Sequence, residues 1–299
     1  MGRGVGLLAG AAGIVALGMG ALALFALRPP ALGLRVFPQA KWGPAYIHNT
    51  KDYDGRPVRL LRVGKSVQSA AYLDEASYTE PVFDYILAFD MVFDAGQPVK
   101  DILMVGGGGC AWPKHVIATR PDVRVDVLEA DPEIIDIARR YFFLDKLAVD
   151  YDLPNSGRLN LICADGASYL ASLAKKLPVP NAASRPASWL YGRSPRSYDV
   201  IVMDAFKAGE ADAALAQAPS ICDAHRCLAE GGVFMANVVS TLTGPGSSHL
   251  HAYLSLLKQA FRHVYVAPLG GACGEGADNV VVLATDGSWQ FDVAQEWQG

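Results

Sequence analysis

The chain is poor in the features that mark several common protein classes. It has five cysteines among 299 residues (Cys110, Cys163, Cys222, Cys227 and Cys273), and no two of them form a C-x-x-C pair. Their odd number suits a reducing compartment better than a disulfide framework. The six histidines show no metal-ligand spacing: His249 and His251 lie two apart, and such residues do not share a helix face. No metal is therefore expected. Lys and Arg total 26 against 30 Asp and Glu, a net charge of -4 without any basic stripe, so no nucleic-acid partner is expected either. No internal repeat is evident.

Charge is also missing from one long stretch. Val5 to Leu27 carries none over about 23 residues, roughly 34 Å as a helix, enough to cross a hydrocarbon core of about 30 Å. It reads as a transmembrane helix, although Ala21-Leu22-Ala23 also suits a signal-peptidase site. Arg28, Arg35 and Lys41 follow it, against only Arg3 and the amino terminus before it. That bias predicts a single-pass protein of the cell membrane with its bulk in the cytoplasm. Residues 1–28 are then the anchor and 29–45 a proline-bearing juxtamembrane linker.

What is present is organised around Asp101 to Tyr141. Ile102 to Val105 is a short apolar run that stops at Gly106, Gly107, Gly108 and Gly109, which reads as a buried parallel strand turning into a helix. Glycine there lets the backbone approach a ligand. A second apolar strand, Val123 to Leu128, ends in Glu129, 23 positions after Gly106. A Rossmann-like unit places at that spacing the carboxylate that takes the ribose hydroxyls of a nucleotide. Gly106, Gly108 and Ala111 also satisfy G-x-G-x-x-A, a pattern common to dinucleotide dehydrogenases and S-adenosylmethionine (AdoMet) transferases. The glycines alone do not choose the ligand.

Around that unit the chain divides into a small antiparallel β-module with a connecting helix over residues 46–95 and an α/β domain over 96–299. Strands are expected at Tyr46-Ile47, Val58 to Val63 and Ser66 to Gln68, with Asp52-Tyr53-Asp54-Gly55 and Gly64-Lys65 as turns. Glu80 to Phe93 has helical spacing. In the larger domain Asp131-Pro132 starts a helix whose buried stripe is Ile134, Ile135, Ala138 and Phe142. Leu159 to Cys163 is a third strand ending in Ala164-Asp165-Gly166, and Tyr198 to Met203 a fourth ending in Asp204. A helix is expected over Asp212 to Leu228, a strand over Val233 to Val239, a helix over Ser247 to Phe261, and closing strands at Val264 to Ala267 and Asn279 to Thr285. Ala174 to Ser197, rich in proline and serine, reads as a surface insertion. Five apolar strands joined by helix-length connections give a doubly wound parallel sheet, whose ligands bind beyond the carboxyl ends of the strands. Four of those ends carry Gly106 to Gly109, Glu129, Asp165 and Asp204, so their polar groups converge. Asp165 and Asp204 also suit helix caps.

These residues resemble the spermidine synthase family, and in particular a membrane-anchored bacterial subgroup that carries Asp204-Ala205-Phe206. The resemblance spans about Tyr46 to Thr285 and rests on Val105-Gly106-Gly107-Gly108, Glu129-Ala130-Asp131-Pro132, Asp165-Gly166, Tyr198 to Asp204, Gln68, and Asp74 to Glu80. It implies a Rossmann-like, seven-stranded class I methyltransferase fold with a small N-terminal antiparallel β-module. It further implies that Glu129 holds the ribose hydroxyls, that Asp165 and Gly166 serve the adenine, that Gln68 and Tyr78 face donor or polyamine, and that Asp204 faces the reacting centre. The co-substrate implied is decarboxylated AdoMet or AdoMet, the acceptor a small amine or polyamine, and the assembly a homodimer through the β-module. Three positions depart from the family pattern: Gly109 stands where an aspartate usually grips the aminopropyl ammonium, Lys207 where a second aspartate follows Asp204, and Thr79 where a histidine follows Tyr78. Aminopropyl transfer is thus weighed against methyl transfer, against a membrane-anchored nucleoside-binding protein without turnover, and against an NAD-dependent oxidoreductase.

Overall fold

A computed structural model describes residues 33–175, 197–207, 210–269 and 277–298. The membrane segment expected at 5–27 and nearly all of the insertion expected at 174–197 lie outside the described residues. Among the described residues no helix is long and apolar enough to cross a membrane.

The first sheet is antiparallel, with β1 (Arg35–Phe37), β2 (Ala45–Lys51), β3 (Pro57–Val63) and β4 (Ser66–Tyr72) in sequential order. The turn from β2 to β3 is set by Asp52, whose Oδ1 accepts from the N–H groups of Asp54 and Arg56 at 3.0 and 2.8 Å, the local bonding that makes aspartate a turn residue. β1 is a strand the sequence did not suggest within the segment expected as a linker over 29–45: Arg35 to Phe37 pair with Ile47 to Ala45. Three residues are too few to show an alternating pattern, and β1 is held by contacts far off in sequence. The Arg35 guanidinium lies 5.0 Å over the Tyr141 ring and Phe37 packs 5.7 Å from it.

The helix expected over Glu80 to Phe93 is present over 84–94 as three consecutive short segments, α-helical at Asp84–Leu87, 3₁₀ at Ala88–Asp90 and α-helical at Met91–Asp94. Its buried residues Ile86, Phe89 and Val92 are spaced by three and share one face of a helix whose middle segment is wound as 3₁₀. The Asp90 carboxylate locks the middle turn by accepting from Trp112 Nε1 at 2.7 Å and pairing with His115 Nε2 at 2.8 Å.

The larger sheet contains β5 (Asp101–Val105), β6 (Arg124–Glu129), β7 (Leu159–Cys163), β8 (Tyr198–Met203), β11 (Leu228–Ser240), β12 (His263–Pro268), β13 (Asp278–Thr285) and β14 (Gln295–Glu296). A two-strand hairpin, β9 (Phe206–Lys207) and β10 (Glu210–Ala211), stands apart from it. The strand order is β14-β12-β13-β11-β8-β5-β6-β7. Neighbours from β7 to β11 run parallel, but β13 inserts between β11 and β12 antiparallel to both. The sheet is therefore mixed, and two-residue β14 adds an eighth, edge strand to the expected seven. Helices Ala111–Thr119, Pro132–Tyr141, Gly166–Ala174, Ala218–Cys227 and Ser248–Ala260 cover its faces. The helix expected to begin at Asp212 starts at Ala218, with Pro219 in its first turn, where proline's missing N–H is harmless.

Apolar residues on alternate sides of the strands build two cores, one containing Met104, Val127 and Val202, the other Leu103, Leu128 and Ile201. A third cluster joins the small sheet to the large one: Ile47 and Leu61 pack with Ile134, Ile137 and Phe142. Burying side chains of this size contributes about 1.5–3 kcal/mol each, and this seam brings β4 up to the glycine loop.

Candidate functional site

The carboxyl ends of β5, β6, β8 and β11, the loop after β7, the start of β4 and residues 82–86 border a cavity of about 670 Å³. That size lies within the range of small-molecule sites. The glycine loop forms its floor. Gly106 has φ +98°, and a Cβ there would meet the backbone of the β8 end, the carbonyl carbon of Asp204 at 2.7 Å and Ala205 Cα at 2.9 Å. Only glycine allows both that conformation and that closeness. Two backbone bonds hold the strand ends together, Gly106 N to Leu128 O and Asp204 N to Val105 O, both 2.9 Å.

Glu129 closes β6 and reaches back to this loop. Its Oε2 accepts from Gly107 N and Gly108 N at 3.2 and 3.1 Å, and Oε1 from Asp131 N at 3.0 Å. A carboxylate offers about four acceptor positions, so capacity for a hydroxyl donor is left. Burial raises the Glu129 carboxyl above its ordinary range, against the three N–H groups that lower it.

Asp165 does both things the sequence allowed for it. It caps the helix Gly166–Ala174 by accepting from Ser168 N at 2.9 Å, and together with Gly166 it lines the cavity. Gln68 on β4 also lines it, as do Gly106, Gly107 and Gly108.

Asp204 sits on the opposite wall. Its Oδ1 accepts from Asn237 Nδ2 at 3.1 Å, and burial pushes its carboxyl up to about 6, the Asn237 bond opposing the rise. Tyr85 is in the same wall; burial and then the Asp204 charge push its hydroxyl upward.

Two expected site residues are not brought here. Tyr78 is 5% exposed and absent from the cavity wall, its hydroxyl donating to Asp150 Oδ2 at 2.6 Å and its ring packing 5.5 Å from Phe143. The turns after β4 carry it against the helix Leu144–Asp150, so Tyr85, not Tyr78, is the tyrosine that lines the cavity. Gly109 also falls outside the wall. A Cβ there would meet Ser69 Oγ at 2.6 Å and Phe142 Cδ1 at 2.8 Å. The space a family aspartate side chain would start into is filled by β4, and Gly109 opens no room for a ligand group. The side chain of Lys207 lies outside what the structure describes.

Sequence reasoning missed Asn237 and Tyr85. Asn237 had a signal, being a polar residue near the end of the apolar run Val233 to Val239. Tyr85 had none, since an aromatic at helical spacing reads as core. Next to the loop, Lys114 is 1% exposed and donates to Phe142 O at 2.9 Å; burial brings its ammonium down to about 8. Among the described residues no group of three His, Cys, Asp or Glu is placed to hold a metal ion.

The cavity has a distinct charge. Asp84, Glu129, Asp165, Asp204, Asp212 and Asp278 line it, and no Lys, Arg or His is among its described lining residues. Six carboxylates around one enclosed volume favour a cation and oppose a phosphate or a free carboxylate.

Comparison with known proteins bears on this site. Residues 84–267 match the family model for the spermine/spermidine synthase domain. The chain is 27% identical over 184 residues to a polyamine aminopropyltransferase of Neisseria meningitidis, covering 60% of this chain and 57% of that protein. It is also 27% identical over 180 residues to an eEF1A lysine and N-terminal methyltransferase of Mus musculus, covering 58% of this chain and 22% of that one. The chain thus spans little more than half of the first relative and under a quarter of the second. Among solved structures, a probable spermidine synthase from Corynebacterium glutamicum matches with a TM-score of 0.61 and 21% identity over 84% of this chain and 79% of that one, a likeness of fold.

Proposed function

The chain belongs to the spermine/spermidine synthase domain family, and from that premise we propose that it is a transferase acting on a cationic AdoMet-type nucleoside, moving the aminopropyl group of decarboxylated AdoMet to an amine or polyamine. The observation that carries this reading is the cavity lined by six carboxylates and by no described cation. Decarboxylated AdoMet bears a sulfonium and an ammonium without a carboxylate, and a polyamine is also cationic. A dinucleotide brings phosphates that the wall would repel, which weighs against an NAD-dependent oxidoreductase.

In this reading Glu129 takes the ribose hydroxyls, with Gly106, Gly107 and Gly108 giving the backbone its close approach, and Asp165 and Gly166 flank the adenine. Gln68 and Tyr85 border the transferred group. Asp204 receives the acceptor's nitrogen. A sulfonium is already a good leaving group, so what these residues supply is positioning and a place for one proton. The segment 5–27 would tether the chain to the cell membrane with the catalytic domain in the cytoplasm, and the β-module would pair two copies.

Methyl transfer from AdoMet is the second reading. Gly109 favours it, because Ser69 and Phe142 occupy the side-chain space from which an aspartate would grip the aminopropyl ammonium. The deciding experiment is calorimetric titration with AdoMet and with decarboxylated AdoMet, followed by product analysis over a panel of amines. Tighter binding of the decarboxylated donor and release of methylthioadenosine support aminopropyl transfer. Release of S-adenosylhomocysteine instead selects methyl transfer, and donor binding without either product leaves a nucleoside-binding protein.

A further inference from the structure

Two guanidinium groups meet at one edge of the β-module with no acid between them. Arg35 on β1 and Arg59 on β3 both lie over the ring of Tyr141, at 5.0 and 6.0 Å. Arg59 donates Nε to Asn49 Oδ1 at 3.0 Å and Nη1 to Tyr141 O, the last carbonyl of the helix Pro132–Tyr141, at 2.8 Å. Those bonds use two of its five N–H groups. The Arg35 guanidinium donates no hydrogen bond among the described residues, and neither arginine pairs with a described carboxylate. The arginines of the helix itself are matched, Arg139 to Asp145 at 2.9 Å and Arg140 to Asp136 at 3.6 Å. Burial, and next the Arg35 charge, lower the pKa of Arg59. Two half-buried like charges with N–H groups to spare repel each other until an anion joins them.

The course of the chain says which anion. A Cβ on Gly33 would meet Asn49 Cγ at 2.8 Å, so the chain leads into β1 beside the Asn49–Arg59 bond. The uncharged stretch expected to span a membrane ends at Leu27, eight positions before Arg35. Eight residues extend at most about 26–29 Å, so a bilayer crossed by that stretch keeps Arg35 within reach of its headgroups. We propose that Arg35 and Arg59 form a binding site for the phosphate of an anionic membrane lipid, with Tyr141 as the platform beneath them, laying the β-module against the bilayer. The inference deepens the tether part of the reading above and rests on it, and it is independent of which group is transferred. A guanidinium fork matches two phosphate oxygens at once. A zwitterionic headgroup brings its own cation, which the arginine pair repels.

The test uses the full chain in a non-ionic detergent, titrated with short-chain phosphatidylglycerol, short-chain phosphatidylcholine or inorganic phosphate, for the wild type, Arg35→Gln and Arg35→Lys. The wild type is expected to bind phosphatidylglycerol at least about fivefold more tightly than either other probe. Arg35→Gln should lose about fivefold of that affinity, one juxtamembrane arginine's worth, and Arg35→Lys should keep most of it. A merely structural Arg35 would leave phosphatidylglycerol binding unchanged in Arg35→Gln or weaken both lipids alike, and either result overturns the proposal. Inorganic phosphate bound as tightly as the lipid also overturns it, since the pair is then a free-anion site. Raising salt from about 50 to about 500 mM should weaken the wild-type preference; a preference indifferent to salt counts against the pair without any variant. Flotation with phosphatidylcholine vesicles tests the tether separately. A full chain that fails to float yet keeps Arg35-dependent lipid binding sinks the tether and leaves the lipid site standing, and a chain that floats without such binding does the reverse.

Discussion

Gly109→Ala tests whether this position is a closed packing site or an opened ligand pocket. The added methyl lands 2.6 Å from Ser69 Oγ, 3.0 Å from Ser69 Cβ and 2.8 Å from Phe142 Cδ1. Ser69 is 5% and Phe142 0% exposed, so neither can swing into solvent. Two effects compete. Restricting the unfolded chain favours alanine by about 0.4–1 kcal/mol, and overpacking a filled site costs about 1–3 kcal/mol. Contacts this short on two sides make the second win, for a net loss of about 1–2 kcal/mol. For a domain of this size that lowers Tm by about 2–8 °C. The contact with Ser69 is removed in Ser69→Gly, so the same substitution should cost about 1 kcal/mol less there, a coupling that a double-mutant cycle over thermal unfolding resolves. Gly109→Ala with unchanged or raised Tm, or costs that are simply additive, would refute the packing argument and return position 109 to the cavity.

Asp204→Asn should abolish the acid limb of transfer: wild-type rate rises with pH through about 6 as the carboxylate ionises, and the variant's residual rate should be flat there. Because the folded pKa is raised, ionising Asp204 also costs stability as pH climbs from about 4 to 6, and the variant's Tm should lack that slope. Lys114 has the opposite sign. Its folded pKa is lowered to about 8, so the unfolded chain binds more protons above that value. Wild-type stability should therefore rise from pH 8 to 10.5, a contribution that Lys114→Met removes. Tyr78→Phe should cost about 1–2 kcal/mol in urea unfolding by deleting the bond to Asp150, while kcat stays within about twofold. A loss of kcat beyond tenfold would put Tyr78 back in the site.

The placing of one wall of the cavity was legible because its signals are local. Gly106, Glu129 and Asp165 each stand at the abrupt end of an apolar strand, and parallel-sheet geometry requires such ends to share one side. Tyr78 and Gly109 stand outside the cavity wall, which family position alone does not show, because it says nothing of how β4 and the turns after it run. Those turns rotate Tyr78 toward Asp150, and β4 itself brings Ser69 against Gly109. β1 was invisible for a related reason: its partners lie on β2 and around Tyr141.

The sequence by itself determined the layered α/β plan and which strand ends carry glycines and carboxylates, since apolar periodicity and glycine placement act within a few residues of one another. Only the tertiary structure decided which side chains meet across the cavity. The Asp204–Asn237 pair, the upward shift of the Asp204 carboxyl, the filled space beside Gly109 and the choice of Tyr85 over Tyr78 all depend on separate strands and turns arriving at one point. Hydrogen bonding, desolvation and overlap act over a few ångströms of space, and residues 33 positions apart, as Asp204 and Asn237 are, come that close only in the fold.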